Sequence, residues 1–260
     1  MPAQNGGMEL KMKNYKILVQ YEGTRYHGWQ RQGNAADTIQ GKLEAVLSRL
    51  DGAPVEVIGS GRTDAGTHAA GQVANFYLST EPEPDAVMRY LNQYLPEDIG
   101  VIQIREVPLR FHSRLNSIRK TYQYRLKIGS IPMVFDRRYM ASYPDSLDVA
   151  AMRKAAKLLL GRHDFYSFCA NKRMKKSTVR TLYRLDIEEH ENELRFVVCG
   201  SGFLHHMVRI LVGTLCEVGA GKRRPESMPA LLRCRNRAMA GETMPAEGLM
   251  LMQVEYEKEQ

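Results

Sequence analysis

The sequence predicts an α+β fold made of two halves that share one element order, β-α-β-β-α-β, the split-βαβ arrangement. Two observations support this prediction. Strand-length apolar runs alternate with stretches of helical periodicity in the first half, and the same order returns in the second half without a repeat of the sequence. The 260-residue chain is long enough for two packed units, and the segment 108–116 between them lacks the composition of a flexible tether.

The first half is expected to span residues 14–110, after a flexible polar tail over 1–13 that stays outside the fold. A strand at 15–21 is rich in β-branched and aromatic residues. Asp37 is placed as a helix N-cap with Gln40 at the capping-box position. The helix that follows has one apolar face, formed by Ile39, Leu43, Val46, Leu47 and Leu50. The remaining elements are two strands around a glycine-rich loop, a second amphipathic helix and a closing strand, at 54–60, 72–78, 87–95 and 99–107.

The second half is expected to span residues 111–260. A helix from about 148 to 160 has Gly161 placed as its C-terminal stop. An unusually apolar helix at 204–218 packs in the interior, and a shorter helix at 225–233 is inserted after it. The strands of this half are expected at 120–128, 179–188, 193–200 and 249–256.

Composition and charge indicate which partners and which cell compartment to expect for this chain. The chain carries 37 Lys and Arg against 29 acidic residues, a net charge of +8, which favours a polyanionic partner. No apolar run reaches the roughly 18 residues of a membrane span, so no membrane partner is expected. The four cysteines form no CxxC pair, and the start of the chain lacks the apolar core of a signal peptide. These features predict a protein of the reducing cytoplasm.

The loop Gly59–Gly71, GSGRTDAGTHAAG, is the most informative stretch for chemistry. Its glycines permit positive φ and the close approach of a bulky substrate. Asp64 is the only acidic residue between Glu56 and Glu81, so the loop offers no second acid for a two-metal or two-carboxylate hydrolase. A lone carboxylate fits nucleophilic or base chemistry better.

Arg62 lies two residues before Asp64, where its guanidinium either orients that carboxylate or grips a phosphate. Two other interpretations of the loop stay open at this point. Asp64 caps a tight turn beside a solvated arginine, or the loop cradles a phosphate, although it lacks the GK[ST] ending of a P-loop.

These residues resemble the signature of the tRNA pseudouridine synthase A family. The resemblance rests on GRTDAGTH at 61–68 and on six further blocks in the same order, covering about residues 14–256. Those blocks are YHGWQRQ at 26–32, FHSR at 111–114, KTYQYR at 120–125, DFYSF at 164–168, FLHHMVR at 203–209 and EGL at 247–249.

The resemblance implies an isomerase that converts uridine to pseudouridine at positions 38, 39 and 40 of the tRNA anticodon stem-loop. It implies Asp64 as the catalytic carboxylate, with Arg62 beside it, and no metal or organic cofactor. Tyr122 takes the position of the tyrosine that packs against the flipped uracil, and Leu249 that of a second apolar wall. Without the resemblance, Tyr122 and Leu249 are ordinary strand residues facing a core.

The family's fold is two ferredoxin-like halves in one pseudosymmetric continuous sheet with a central RNA-binding cleft, usually in a homodimer that binds tRNA. Basic residues in the matching blocks and beside them are candidate contacts to RNA phosphates. They are Arg25, Arg31, Arg110, Arg114, Arg119 and the cluster Lys172, Arg173, Lys175 and Lys176. The cluster matches no family block.

His205 and His206 are expected to pack in the core of the second half rather than to bind metal. Adjacent residues on a helix point about 100° apart, and no Cys or acidic ligand follows at i+3 or i+4. Trp29 either buttresses the substrate loop or anchors it. Two rival functions are an RNA-recognition module, which would show an RNP1 aromatic strand, and a metal-dependent phosphate-ester hydrolase.

Overall fold

The computed structural model describes residues 12–33, 37–131, 133–171 and 173–257. Within these ranges ten strands form one sheet. In chain order they are β1 Lys13–Tyr21, β2 Ile58–Gly59, β3 His68–Leu78, β4 Ile99–Val107, β5 Ser117–Ile128, β6 Ala141–Tyr143, β7 Gly161–Asp164, β8 Val179–His190, β9 Glu193–Gly200 and β10 Leu249–Tyr256. The helices are α1 Ile39–Asp51, α2 Pro84–Tyr94, α3 Val149–Lys157, α4 Met207–Gly219 and α5 Met228–Cys234.

The predicted α+β fold with two split-βαβ halves in one continuous sheet is confirmed. The strands run β4-β1-β3-β10-β5-β9-β8-β7, with β2 paired to β3 and β6 to β5. Each half therefore shows the same internal order, in which its last strand lies beside its first. The halves meet where β3 and β10 pair in parallel, with Met250 opposite His68 and Leu251 opposite Ala69. Main-chain hydrogen bonds thus continue across the junction of the halves.

The start of α1 corrects two predictions. Thr38, not Asp37, is the N-cap, and its hydroxyl accepts a hydrogen bond from the Gly41 amide at 3.2 Å. Asp37 pairs instead with Lys42. Gln40 is not a capping-box partner, because its buried amide donates to Glu44 and to the Val57 carbonyl. The first amides of α1 donate to the carbonyls of residues 28 and 29, and these long-range bonds set the helix start.

The strand expected at 54–60 is also wrong, since only Ile58 and Gly59 form β2. The amides of Val55 and Val57 donate to side chains of α1, Ser48 Oγ and Glu44 Oε1. This segment therefore satisfies its backbone against a helix rather than against a neighbouring strand. At the amino end, Lys13 belongs to β1 and not to the expected tail, and the tail residues 1–11 lie outside the described ranges.

The second half keeps the predicted order and adds two short strands, β6 and β7, that periodicity did not indicate. Asp148 caps α3 by accepting from the Ala151 amide. Gly161 adopts a φ of +94° but opens β7 rather than ending a helix directly. Eleven of the thirteen residues of α4 are buried, which explains why this helix is apolar all round. No described helix has the length and apolarity needed to cross a membrane.

Candidate active site

The loop between β2 and β3 is held from several directions by hydrogen bonds. Lys120 on β5 donates to the Ser60 carbonyl at 2.5 Å, and Ser60 Oγ donates to Gln72 Oε1 at 2.7 Å. The Thr63 hydroxyl contacts Tyr21 Oη at 2.8 Å. Asp64 closes a turn whose Thr67 amide donates back to its carbonyl at 3.1 Å. The turn that carries Asp64 is therefore fixed before any substrate binds.

A second loop, residues 22–32, packs directly on this turn. The Trp29 amide donates to the Thr63 carbonyl at 3.1 Å, and the Trp29 side chain is only 2% exposed. Gly28 has a φ of +85°, and a Cβ there would lie 2.6 Å from the Thr63 carbonyl oxygen. The Trp29 ring also packs against Gly59, where a Cβ would lie 2.4 Å from it, so Trp29 is buried against the loop that carries Asp64.

Arg209 is the arginine that the structure brings to the Asp64 carboxylate. Its Nη1 lies 3.4 Å from Asp64 Oδ2, while its Nε donates to the Met244 carbonyl at 2.6 Å. The two side chains are 14% and 22% exposed. The main-chain anchor fixes the guanidinium beside a partly shielded carboxylate, where a charge pair is screened less than at an open surface. Asp64 comes from the first half and Arg209 from the second, 145 residues away.

His205 and His206 also face Asp64, so their expected place in the core is wrong. His206 Nε2 lies 3.6 Å from Asp64 Oδ2, and His205 Nε2 lies 3.8 Å from Oδ1. The two ring centroids lie 3.8 Å apart, with the ring planes tilted by 37°. The prediction assumed a helix at both residues, but α4 begins at Met207 and His206 is its left-handed N-cap with φ 60°. Burial lowers the pKa of His206, and the Asp64 charge opposes that shift.

Arg62 is exposed, and its Nε donates to Gln30 Oε1 at 3.0 Å. It lines a cleft of about 480 Å³ together with Gln30, Arg114 and Lys176. The structure therefore places Arg62 at the wall of a basic cleft next to the Asp64 turn. Of the two roles that the sequence left open, this position favours contact with an anion.

Tyr122 lies in β5 and is 7% exposed. Its ring meets Phe203 edge to face, with centroids 5.0 Å apart. Burial raises the pKa of the Tyr122 hydroxyl, and the charges of Tyr21 and Asp64 raise it further, so the hydroxyl keeps its proton. Across the sheet Tyr122 is opposite Leu251, whereas Leu249 is opposite Tyr124. Leu249, 5% exposed, is thus a diagonal neighbour of Tyr122.

The other arginines predicted to contact phosphate are exposed and dispersed. Arg31 pairs with Glu44 and Arg25 with Asp98, while the Arg119 guanidinium lies 4.6 Å from the centre of the Tyr183 ring. Arg114 is the one of this group that lines the cleft of Arg62. The remaining members of the predicted set, Arg110, Arg173, Lys175 and Lys176, are exposed, and Lys172 lies outside the described residues.

Three functional candidates escaped the sequence analysis: Arg209, Lys120 and the histidine pair as neighbours of Asp64. Arg209 and the histidines stand in the block FLHHMVR, and Lys120 opens KTYQYR. The available signal was their membership of these blocks. Their contact with the loop is a long-range one that no local pattern predicts.

Comparisons with known proteins identify the family to which this chain is similar. A family model described as tRNA pseudouridine synthase matches residues 17–116 and 155–257. The tRNA pseudouridine synthase A of Bacillus sp. (strain KSM-64) is 46% identical over 94% of this chain and all of the relative. The protein of the same name from Acetivibrio thermocellus is 41% identical over the same shares. A chain of the solved Cbf5-Nop10-Gar1 complex shares 12% identity at a TM-score of 0.39, covering 91% of this chain and 48% of that one, which is too low to carry an argument.

Proposed function

The chain belongs to the tRNA pseudouridine synthase family, and from this premise we propose that it isomerises uridine at positions 38, 39 and 40 of the tRNA anticodon stem-loop through Asp64. Family membership makes it an isomerase that forms pseudouridine in tRNA. The three positions and the role of the aspartate are the proposal.

The single observation that carries the role of Asp64 is its place in the structure. It is the one carboxylate of a rigid loop, and that loop meets the second half of the protein at Arg209. The carboxylate is 22% exposed, so a nucleoside can reach it, and its charge is balanced by a fixed cation. A positioned, ionised carboxylate is what nucleophilic or general-base chemistry requires.

The reaction breaks the bond between N1 of uracil and C1′ of ribose and forms a bond between C5 and C1′. Asp64 assists bond cleavage, either by attack on the nucleoside or by removal of a proton. The uracil turns within the site, C5 loses its proton after the new bond forms, and N1 gains one. Atoms and electrons balance without redox or hydrolysis, so the chemistry itself requires no cofactor.

A uridine in a stacked stem must leave the stack to reach Asp64, and the enzyme then has to hold the free base. Tyr122 is the proposed platform, since its ring lies at the junction of the halves and its hydroxyl stays protonated. Leu249 supplies a second apolar contact from the neighbouring strand. Because the Tyr122 hydroxyl keeps its proton, it relays the C5 proton by passing its own proton on to solvent or to N1 as it accepts the one from C5.

Phosphates of the stem-loop are proposed to bind along the basic cleft beside the Asp64 turn. Arg62, Arg114 and Lys176 line this cleft, and Arg31 and Arg119 extend the positive surface from other loops and strands. A homodimer with tRNA across both subunits, and a cytoplasmic location, complete the proposal. Resemblance to the family supports the dimer. The composition and the tRNA substrate support the location.

The test is release of tritium from tRNA labelled at uridine C5, with wild type and Asp64→Asn protein in chelator-treated buffer. We expect release by wild type and none by Asp64→Asn, while both retain tRNA binding in a filter assay. Asp145→Asn is the matched control, because Asp145 is an exposed aspartate outside the site. Transcripts with cytidine at 38, 39 or 40 assign the positions.

Three results would overturn parts of the proposal. Full release by Asp64→Asn would remove the aspartate from the mechanism. Binding of tRNA without release by wild type would make the chain an RNA-binding protein on this substrate. Unchanged release after all three positions carry cytidine would place the target elsewhere in tRNA.

A further inference from the structure

The Asp64 site contains three side chains of the kind that ligate transition metals. Asp64, His205 and His206 each offer one ligand atom, and these atoms all lie within 4.8 Å of one another. The separations to the carboxylate are 3.8 Å for His205 Nε2 and 3.6 Å for His206 Nε2. The set combines two imidazoles with one carboxylate, a combination found at several kinds of protein metal site.

The spacing is close to what a tetrahedral ion requires. With Zn–N and Zn–O bonds of about 2.0–2.2 Å, neighbouring ligand atoms lie roughly 3.3–3.6 Å apart. His206 Nε2 lies 3.6 Å from Asp64 Oδ2, at the upper end of this range, and His205 Nε2 lies 3.8 Å from Asp64 Oδ1, slightly above it. The His205 side chain is 53% exposed, so its ring has room to turn toward a bound ion.

The backbone before α4 explains why two consecutive histidines point at one carboxylate. His206 occupies the left-handed region with φ 60°, and His205 precedes the helix. The ring centroids lie 3.8 Å apart with the planes tilted by 37°, and each Nε2 atom lies within 3.8 Å of an Asp64 oxygen. On a continuous helix the same two residues would diverge by about 100°.

The neighbouring Arg209 lowers the metal affinity that we expect of this site. Its Nη1 lies 3.4 Å from Asp64 Oδ2, so an ion would share the carboxylate with a cation. A carboxylate has about four lone-pair sites, and the second oxygen faces His205. The neighbouring charge weakens binding relative to a closed four-ligand zinc site, and water fills the open position.

We propose that Asp64, His205 and His206 bind a divalent transition-metal ion of the zinc class, and that the bound ion reversibly inhibits the isomerase. Imidazole nitrogens favour zinc, cobalt, nickel and copper, whereas Mg²⁺ prefers oxygen ligands. Mg²⁺ and similar ions in RNA buffers therefore do not bind this site, and the nucleoside can still reach Asp64. Inhibition follows because the metal occupies the carboxylate that the reaction uses. Metal binding depends on geometry alone, while the inhibition rests on the proposed function.

Binding is tested on the full chain without RNA, by calorimetry with Zn²⁺ and by visible absorption with Co²⁺. We compare wild type with His205→Asn and His206→Asn, since asparagine tolerates the left-handed backbone of residue 206. Loss of an outer-sphere partner already costs about 10- to 100-fold in metal affinity, so loss of a ligand should cost at least about tenfold. His190→Asn, a half-exposed histidine outside the site, is the control and should bind as wild type does.

Inhibition is then measured as the rate with buffered Zn²⁺ divided by the metal-free rate of the same variant. Wild type and His190→Asn should lose activity and recover it with chelator, whereas the two site variants should need at least tenfold more Zn²⁺. Zinc bound to tRNA affects all variants alike. Equal metal affinity in all four proteins would overturn the site, and site-dependent binding without inhibition would overturn the regulatory claim. A wild type that is inactive without metal would contradict the proposed function. In that case the comparison of metal affinities among the four proteins would still decide whether the metal site exists.

Discussion

At the scale of single residues, the charge that stabilises Asp64 comes from the guanidinium of Arg209. Arginine is protonated at every pH that a protein tolerates. His206, in contrast, has its pKa lowered by burial, so its ring is largely neutral at pH 7. Arg209 is thus the steady counter-ion of the carboxylate, and the anchor to the Met244 carbonyl fixes where its charge lies.

Replacing Arg209 by methionine should lower the single-turnover rate of pseudouridine formation by about 10- to 100-fold. This range corresponds to the roughly 1.5–3 kcal/mol of a hydrogen bond to a charged group. Arg209→Lys should recover only part of the rate, since one ammonium cannot keep both contacts of the guanidinium fork.

Arg153→Met is the matched control for Arg209. Arg153 also donates to a main-chain carbonyl, that of Ile187, and pairs with a carboxylate, that of Glu189, but it lies on α3 away from the site. Its loss should leave the rate unchanged. An Arg209→Met protein that turns over at the wild-type rate would show that the contact is not part of the machinery.

At the scale of elements, β5 supports the loop that carries Asp64 through a partly buried lysine. Lys120 extends from β5 and donates to the Ser60 carbonyl in the loop. Burial, together with the charges of Arg114 and Arg180, lowers its pKa from 10.5 to about 8. A buried cation with cationic neighbours costs folding free energy, and the chain tolerates that cost at the loop that carries Asp64.

This cost predicts a pH dependence of stability. Between pH 8 and 10.5 the unfolded chain holds the Lys120 proton and the folded chain does not, so the free energy of unfolding rises with pH. From pH 7.5 to 10 the gain from this residue should be about 2 kcal/mol.

Urea unfolding at pH 7.5, 9 and 10 checks the prediction by comparing wild type with Lys120→Met. As pH increases, the free energy of unfolding of wild type should rise relative to that of Lys120→Met. Lys154→Met, which removes an exposed lysine of α3, should follow the wild-type pH profile. A pH-independent difference between wild type and Lys120→Met would mean that Lys120 keeps an ordinary pKa in the folded state.

At the scale of the whole molecule, the site exists only because two halves share one sheet. Asp64 precedes β3 of the first half, while Arg209 and the histidines start α4 of the second. The halves meet where β3 and β10 pair in parallel, a pairing that covers only two residue pairs. Separation by even 1 Å at this pair would move the cation away from the carboxylate. The division into units 14–110 and 111–260 stays a prediction.

Gly71 makes the close approach at this junction possible. A Cβ at residue 71 would lie 2.3 Å from the Met252 carbonyl oxygen, which belongs to main chain and cannot rotate away. Gly71→Ala should therefore destabilise the protein by about 2 kcal/mol, as overpacking of a fitted contact does. It should also lower turnover, because the strands that align Asp64 with Arg209 must move apart.

Gly100→Ala is the control, since a Cβ at residue 100 of β4 meets nothing within 4 Å. Thermal unfolding and tritium release from uridine C5 are measured on both variants. The comparison distinguishes an effect at the junction of the halves from the general effect of losing a glycine. Equal stability and turnover in the two variants would show that the contact at Met252 is not needed to hold the halves together.

The sequence by itself determined the order of the main elements but not the short strands β6 and β7, because periodicity and turn residues act over a few neighbours. It also singled out Asp64, since a lone acid in a glycine-rich loop is a local pattern. Local patterns failed where distant groups compete, as at α1, where backbone carbonyls of residues 28 and 29 place the cap at Thr38 rather than Asp37.

Only the tertiary structure decided which side chains surround Asp64. Arg62, two residues away, binds Gln30, while Arg209, 145 residues away, reaches the carboxylate. His205 and His206 face it because the chain turns before α4 instead of continuing the helix. Contacts of this kind depend on how the two halves dock at β3 and β10, and docking is a property of packed surfaces that adjacent residues do not encode.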